Sequence, residues 1–340
     1  MTPLLLVVGL VGLLSLIVLL VQRGGRNKTP ARPPRPRSRR ILVGALKLIG
    51  FAVVAFVLIG GAVMVSEDHR VVEADLAPAP SQVEIPDDLA FPVEEVTFKG
   101  GDDLILAGWF TPPQNGATII LLHGYGGNRT AMIWHAQALV KAGYGVLLYD
   151  ERASGESAGQ RRSYGWEDPG DVEGALRYLG SRPEVDAQRI AIAGCSIGAQ
   201  IALQAAARYP NLKAVWADGP SIVRAVDAPA PVNWATALNA LSEHILDMMY
   251  QARLQITPPA PLIDVIGNIA PRPIVLVGGG KALSDFGSEA PRVEYYAQHA
   301  GSHAEVWIIP EAVHCDGPVQ RPTEYVARLV TFFDRVFNLK

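Results

Sequence analysis

The segment from Arg189 to Gln200 constrains the fold more than any other part of this 340-residue chain. An apolar run, Ile190–Ala193, leads into Gly-Cys-Ser-Ile-Gly at residues 194–198, and an alanine-rich run with helical periodicity follows directly. This order predicts a strand, a sharp turn and a helix, with the hydroxyl of Ser196 pushed out at the carboxyl end of the strand. The helix N-terminus then offers free N–H groups and a partial positive charge beside that serine.

A second Gly-x-Ser-x-Gly motif covers residues 155–159 and surrounds Ser157. A polar interval separates this motif from the strand predicted over Val146–Tyr149, and Gln-Arg-Arg-Ser-Tyr-Gly follows where a helix would be needed. Ser157 is therefore predicted to be a loop residue, and Ser196 is the candidate nucleophile.

The N-terminal region carries two long apolar segments. Residues 3–21 are uncharged and residues 41–65 contain only Lys47, and each run is long enough to cross about 30 Å of hydrocarbon. The loop between them, residues 22–40, carries only basic charges. Because such loops stay in the cytoplasm, the prediction is a two-pass hairpin in the cell membrane with an extracytoplasmic domain beyond it. A cleaved signal peptide is the alternative for the first run, but no basic n-region precedes it.

The remaining chain is predicted to be a linker and one domain. Residues 66–92 are polar and proline-spaced, as in a linker, and residues 93–340 alternate strands with helices. The alternation predicts an α/β domain with a mainly parallel, doubly wound sheet and a site at the carboxyl ends of its strands. The formal net charge of −3 gives no sign of nucleic-acid binding. The two apolar segments make the lipid bilayer a predicted partner, and a site at the strand ends is expected to take a small-molecule substrate.

From Val93 onward the chain resembles the α/β-hydrolase superfamily. The resemblance rests on the nucleophile elbow at residues 194–198, on His-Gly-Tyr-Gly at residues 123–126, and on residues 150–157. Residues 150–157 are similar to the family's Asp-x-Arg-Gly-x-Gly-x-Ser loop, with Ala153 in place of a glycine. The resemblance implies an α/β-hydrolase fold in which a helical cap is inserted.

The cap is expected at about residues 220–271, where the alternation of strands and helices is interrupted. Residues 235–254 within it are predicted to form an amphipathic helix with a leucine and methionine stripe. Such a stripe packs in a core, lines an acyl pocket or touches a membrane, and the sequence leaves these alternatives open.

The resemblance also implies the site residues. Ser196 would attack a carbonyl, and His314, on the loop after the last predicted strand, would take its proton. The N–H groups of Tyr125 and Ile197 would form the oxyanion hole. His123 is expected to orient the loop beneath the site.

The acid of the triad is the least defined member. The family usually has Gly-x-x-Asp just after the penultimate strand. Here that strand is Ile274–Val277, and the first acid that follows it is Asp285. Counting back from the following helix places Asp285 near the usual position, so it is the predicted acid. Glu289 is the near alternative and Asp218 the more distant one.

The only two cysteines are Cys195 and Cys315, each next to a proposed catalytic residue. A disulfide between them is conceivable in an oxidising compartment. The residue before an elbow serine normally points into the core, however, and buried cysteines usually act as plain hydrophobic residues, so no disulfide is predicted.

Together these features predict a membrane-anchored serine hydrolase that cleaves carboxylic esters through an acyl-enzyme. The preference for ester substrates is an analogy with the carboxylesterases and lipases that are common on this fold. A peptidase or amide hydrolase with the same triad, and a non-catalytic scaffold or receptor, are the alternatives. No cofactor or metal is expected, because no spacing resembles a ligand motif such as His-Glu-x-x-His.

Overall fold

The computed structural model describes residues 37–282 and 287–339, and the chain divides into two compact units between Val71 and Val72. The described part of the first unit belongs to helix α1, Arg37–Leu76. Among the described residues, this is the helix whose length and apolar composition are sufficient to cross a membrane. The first predicted membrane segment, residues 3–21, lies outside the described residues.

Helix α1 continues beyond the predicted start of the linker at residue 66. Residues 66–76 contain no glycine or proline, and prolines at positions 78 and 80 follow the end of the helix. Val72 and Leu76 lie four residues apart on one helix face, and both are buried in the core of the second unit. The second compact unit therefore begins at Val72, and residues 66–76 are helical rather than an extended linker.

The second unit is organised around a large β-sheet. Numbered along the chain, the described strands are β1 (Ala79–Pro80), β2 (Glu94–Lys99), β3 (Ile105–Thr111), β4 (Thr118–Leu122), β5 (Gly145–Tyr149), β6 (Ser154–Gly155), β7 (Ile190–Cys195), β8 (Leu212–Asp218), β9 (Ile274–Gly279) and β10 (Ala304–Ile309). Eight of these described strands form one sheet in the order β10-β9-β8-β7-β4-β5-β3-β2. Strand β3 is antiparallel to both of its neighbours, and the other neighbouring pairs are parallel.

Helices cover both faces of this sheet. After α1, the described α-helices are α2 (Ile133–Lys141), α3 (Asp168–Gly180), α4 (Ile197–Arg208), α5 (Trp234–Leu254), α6 (Leu262–Val265), α7 (Ala290–Ala300), α8 (Gly317–Gln320) and α9 (Pro322–Phe337). Helices α3, α4 and α7 contribute to one apolar cluster, and α2 and α9 contribute to a second. Along β7, Ile190 and Ile192 enter the first cluster while Ala191 and Ala193 enter the second, as the alternation of a strand requires. The predicted doubly wound α/β sheet is thereby confirmed.

The segment between β8 and β9 contains the predicted cap helix as α5. Its C-terminal half packs onto the domain, since Tyr250 and Leu254 are buried and Met249 contacts the core cluster. Its N-terminal half is different, because Leu238 and Leu241 are exposed. The apolar stripe is therefore divided between core packing and an exposed surface.

Two adjacent valines provide a matched test of where the second unit begins. Val72 is 1% exposed and Val71 is 43% exposed. Replacing Val72 with alanine removes buried methyl groups, so the free energy of unfolding should fall by about 1–2 kcal/mol. The Val71→Ala control should change it by less than about 0.5 kcal/mol. Chemical unfolding of the purified chain, followed by tryptophan fluorescence, measures both; equal effects would contradict a compact unit that begins at Val72.

Candidate active site

The nucleophile elbow forms at the junction of β7 and α4. Ser196 has φ 57° and ψ −120°, a strained conformation for a residue with a side chain. The flanking glycines make this turn possible: a Cβ atom on Gly194 would lie 2.3 Å from the carbonyl oxygen of Gly198. A Cβ atom on Gly198 would lie 2.5 Å from the carbonyl oxygen of His123. The strand, turn and helix predicted around Ser196 are therefore present.

The side chain of Ser196 meets the predicted base. The Nε2 atom of His314 lies 2.9 Å from the Oγ atom of Ser196, although 118 residues separate them in sequence. His314 follows β10, on the loop that precedes the short helix α8. The distance is within the range in which a histidine accepts a hydroxyl proton.

The acid position beside His314 is occupied by Glu289. Its Oε1 atom lies 2.5 Å from Nδ1 of His314, and its Oε2 atom accepts a hydrogen bond of 2.9 Å from the backbone N–H of Gly279. The Glu289 side chain is 3% exposed. The predicted acid, Asp285, lies outside the described residues, and the near alternative, Glu289, is the carboxylate that the structure places beside His314. The missed signal is that Glu289 directly precedes α7, where its side chain contacts both the end of β9 at Gly279 and the loop that carries His314.

Asp218, the more distant alternative, is buried below the site and bonded to a different partner. Its Oδ2 atom accepts a 2.7 Å hydrogen bond from the Tyr325 hydroxyl, which itself accepts one of 2.9 Å from the Trp216 indole N–H. Burial raises the pKa of Asp218 to about 7, and the nearby charge of Glu289 adds to the rise. The geometry therefore selects Glu289 as the partner of His314.

The predicted oxyanion loop lies directly against the elbow. A Cβ atom on Gly124 would lie 3.4 Å from Cβ of Ser196, which brings the following residue, Tyr125, next to the nucleophile. Ile197 is the first residue of α4, where a backbone N–H has no acceptor within the helix. The two predicted N–H donors thus belong to segments on either side of Ser196.

His123 holds this loop from beneath. It is 1% exposed, its Nε2 atom accepts a 3.0 Å hydrogen bond from the Glu151 N–H, and its Nδ1–H donates to the Gly124 carbonyl at 2.8 Å. Burial lowers the pKa of His123, in agreement with a neutral ring of this tautomer. These bonds agree with the predicted role of His123 in orienting the loop.

Ser157 has the structural role that its context predicts. Its hydroxyl donates to the Asp150 carbonyl at 2.6 Å and accepts from the Ala107 N–H at 2.9 Å. Ser157 and Asp150 are both buried in the segment after β5, and Ala107 belongs to β3. The second Gly-x-Ser-x-Gly motif is therefore a loop motif.

The segment that follows Val72 also reaches the oxyanion loop, which the sequence analysis did not anticipate. The Tyr125 hydroxyl donates to the carbonyl oxygen of Ala74 at 2.7 Å, and Arg162 donates to that same oxygen and to the Tyr125 hydroxyl, each at 2.7 Å. The Arg162 guanidinium lies 4.2 Å from the centroid of the Tyr125 ring. Burial raises the pKa of Tyr125 to about 12, so the hydroxyl remains a donor at neutral pH. A small polar recess lies here, lined by Tyr125, Arg162 and Ile197 among others.

The two cysteines form a disulfide, so the prediction of unpaired thiols is wrong. Their Cα atoms are 6.1 Å apart, within the usual range for a disulfide. The expectation assumed that the Cys195 side chain pointed into the core, but strand β7 ends at this residue and its side chain turns toward the loop that carries His314. Among the described residues, no group of three or more His, Cys, Asp or Glu side chains is arranged to hold a metal ion.

Comparisons with known proteins agree with this fold. The profile of a family described as serine aminopeptidase, S33, matches residues 113–270, which include Ser196 but neither Glu289 nor His314. The uncharacterized protein YfhR of Escherichia coli O157:H7 is 29% identical over 257 residues, which span 72% of this chain and 82% of that protein. The thiohydrolase apmlB of Arthrinium phaeospermum is 34% identical over 146 residues, 42% of this chain and 45% of its own.

Solved structures give the same result for the fold. The esterase Pf2001 of Pyrococcus furiosus superposes with a TM-score of 0.58 at 23% identity, covering 75% of this chain and 98% of that one. The α/β hydrolase GrgF of Penicillium sp. sh18 superposes with a TM-score of 0.58 at 21% identity, covering 73% and 100%. The fold is that of an α/β hydrolase. Together with the family profile and the curated relatives, it supports a hydrolase of the α/β-hydrolase superfamily.

The choice between the two buried acids can be tested with isosteric amides. Glu289→Gln keeps a hydrogen-bond acceptor beside His314 but removes the charge that stabilises an imidazolium, so kcat should fall by roughly 10²–10⁴-fold. In the matched control Asp218→Asn, the amide oxygen can still accept from the Tyr325 hydroxyl, and kcat should stay within about threefold. Initial rates with a chromogenic ester measure both variants; a large loss in Asp218→Asn alone would reverse the assignment.

Proposed function

We propose that the chain is a serine hydrolase that cleaves carboxylic esters through a Ser196–His314–Glu289 triad. One observation carries this proposal: an unbroken hydrogen-bond relay of 2.9 Å from serine to histidine and 2.5 Å from histidine to a buried carboxylate. A hydroxyl alone is a poor nucleophile, and this relay is the arrangement that activates one.

The geometry supports the following reaction sequence. As the Oγ atom of Ser196 attacks the ester carbonyl, its proton passes to Nε2 of His314, and Glu289 stabilises the imidazolium that results. His314 then returns the proton to the departing alcohol, which leaves an acyl group on Ser196. A water molecule, deprotonated by the same histidine, releases the carboxylic acid and restores the serine.

The negative charge of each tetrahedral intermediate needs donors that are already in place. The backbone N–H groups of Tyr125 and Ile197 are the proposed pair, because they flank Ser196 on two segments held close by the elbow glycines. Donors of this kind typically contribute about 10²–10³-fold to kcat.

The relatives favour an ester over an amide substrate. One similar solved structure is named an esterase and one curated relative a thiohydrolase, while the matching family is described as a serine aminopeptidase. The amide hydrolase therefore remains the second candidate for the same triad. A non-catalytic scaffold is less well supported, because Ser196, His314 and the buried carboxylate of Glu289 are hydrogen-bonded in series.

A fluorophosphonate probe tests the proposal, since it reacts only with an activated serine. We expect stoichiometric labelling of the wild-type chain and complete loss of labelling in Ser196→Ala, with Ser157→Ala as the matched control that keeps its label. Parallel panels of chromogenic esters and aminoacyl anilides then separate the two enzymatic candidates. A folded wild-type chain that takes no label and turns over neither panel would support the scaffold instead.

We further propose that the protein is anchored in the cell membrane by two N-terminal helices, with the hydrolase domain outside the cytoplasm. Support comes from the apolar, exposed side chains of α1 and from the basic residues that precede it. This placement would put the active site on the side where disulfides persist.

Reporter fusions test the topology. Alkaline phosphatase, which is active only outside the cytoplasm, should be active when fused after Lys340 and inactive when fused after Pro33 in the basic loop. The reverse pattern would invert the orientation. Recovery of a mature chain that starts after the first apolar run would instead indicate a cleaved signal peptide.

A further inference from the structure

The disulfide joins the two chain segments that carry the proposed nucleophile and base. Cys195 immediately precedes Ser196, and Cys315 immediately follows His314. The two half-cystines are 120 residues apart in sequence, with Cα atoms 6.1 Å apart. A single covalent bond thus limits how far the elbow and the histidine loop can separate.

The histidine loop needs such a constraint more than the elbow does. Ser196 is held between a central strand and a helix, whereas His314 lies between β10 and α8 on residues without regular secondary structure, and its side chain is 33% exposed. Upstream of the histidine, Lys281 N–H donates to the Ala312 carbonyl at 3.0 Å and Val313 N–H donates to Asp316 Oδ1 at 2.7 Å. These bonds hold the base of the loop.

The backbone at Cys315 is itself strained. Its φ is 50°, in the left-handed region that costs a residue with a side chain on the order of 1 kcal/mol or more. Such a conformation persists when its surroundings over-determine it, and the bond to Cys195 is a covalent constraint at that residue. The strained residue directly follows the proposed base, so relaxation there would shift the imidazole.

Proton transfer is sensitive to a shift of that size. The Ser196–His314 distance of 2.9 Å is near the middle of the productive range, and a displacement of about 1 Å can cost on the order of 10²-fold in rate. A bond between the neighbours of both residues acts on this distance more directly than any other covalent link in the described chain.

We infer that the Cys195–Cys315 disulfide is a positioning element that holds His314 within hydrogen-bonding reach of Ser196, so that catalysis depends on its oxidised state. This inference rests on the proposed serine hydrolase function. Opening the bond requires an external dithiol: the S–S bond is reduced by two electrons to two cysteine thiols, while the dithiol is oxidised to its own disulfide. The chain has no other cysteine, so no alternative pairing can form within it.

The test uses the full-length chain in detergent or nanodiscs, with and without a dithiol, at a temperature where circular dichroism shows both forms to be folded. Reduction of the wild type should lower kcat for a chromogenic ester by roughly 10–100-fold while KM changes by less than about threefold. Reoxidation should restore the rate. Cys195→Ala, Cys315→Ala and the double variant should show equal losses, because each removes the same bond, and none should respond to the dithiol.

A purely stabilising disulfide gives a different result. Reduction would then lower the unfolding temperature, because the bond would no longer restrict the unfolded chain. The kcat of the folded enzyme would stay unchanged. Unchanged kcat in folded, reduced wild type, with two thiols counted by maleimide labelling, would therefore overturn the inference. Two free thiols in the untreated protein isolated from its membrane would overturn it as well.

The same measurements separate this inference from the proposed function. If the oxidised wild type takes no fluorophosphonate label and has no hydrolytic activity, the serine hydrolase proposal itself fails. If labelling is equally fast in the oxidised and reduced forms, only the positioning role of the disulfide fails. Variants that do not fold are replaced in this comparison by the reduced wild type, which carries no substitution.

Discussion

The reversal of the chain at Ser196 is the constraint on which the rest of the site depends. The direction changes within a single residue, which requires a positive φ at Ser196 and leaves no room for a Cβ atom at Gly194 or Gly198. Because Gly198 packs against the carbonyl groups of Leu122 and His123, the elbow and the oxyanion loop touch through their backbones. The relative position of the proposed nucleophile and the proposed oxyanion donors is thus set by close main-chain packing, which leaves little room for displacement.

Electrostatics explains why two buried acids can lie close to one histidine. Glu289 receives a hydrogen bond from the Gly279 N–H and contacts His314, whereas Asp218 receives one from Tyr325. Burial together with the charge of Glu289 raises the pKa of Asp218 to about 7, so much of its negative charge is removed at neutral pH. Of the two acids, Glu289 is the one in contact with the imidazole, as the proposed relay through His314 requires.

The segment that follows Val72 is part of the hydrolase unit rather than a spacer. Residues 79–80 add a short parallel strand beside residues 154–155, and the carbonyl oxygens of Ala74 and Ala77 accept hydrogen bonds from Arg162. Arg162 in turn braces the ring and hydroxyl of Tyr125. The loop that carries Tyr125 is therefore held from one side by the elbow and from the other by this N-terminal segment.

The sequence by itself determined the features that depend on local order. A strand, two glycines and a helix around Ser196 are sufficient to define an elbow, and alternating apolar runs are sufficient to define a doubly wound sheet. The position of His314 after the last strand followed from the same order. Only the tertiary structure decided that Glu289 lies beside His314, that Cys195 bonds to Cys315, and that the second compact unit begins at Val72. Each of these depends on the distance between side chains far apart in sequence, and such distances are set by how loops and helix ends pack rather than by any periodic pattern.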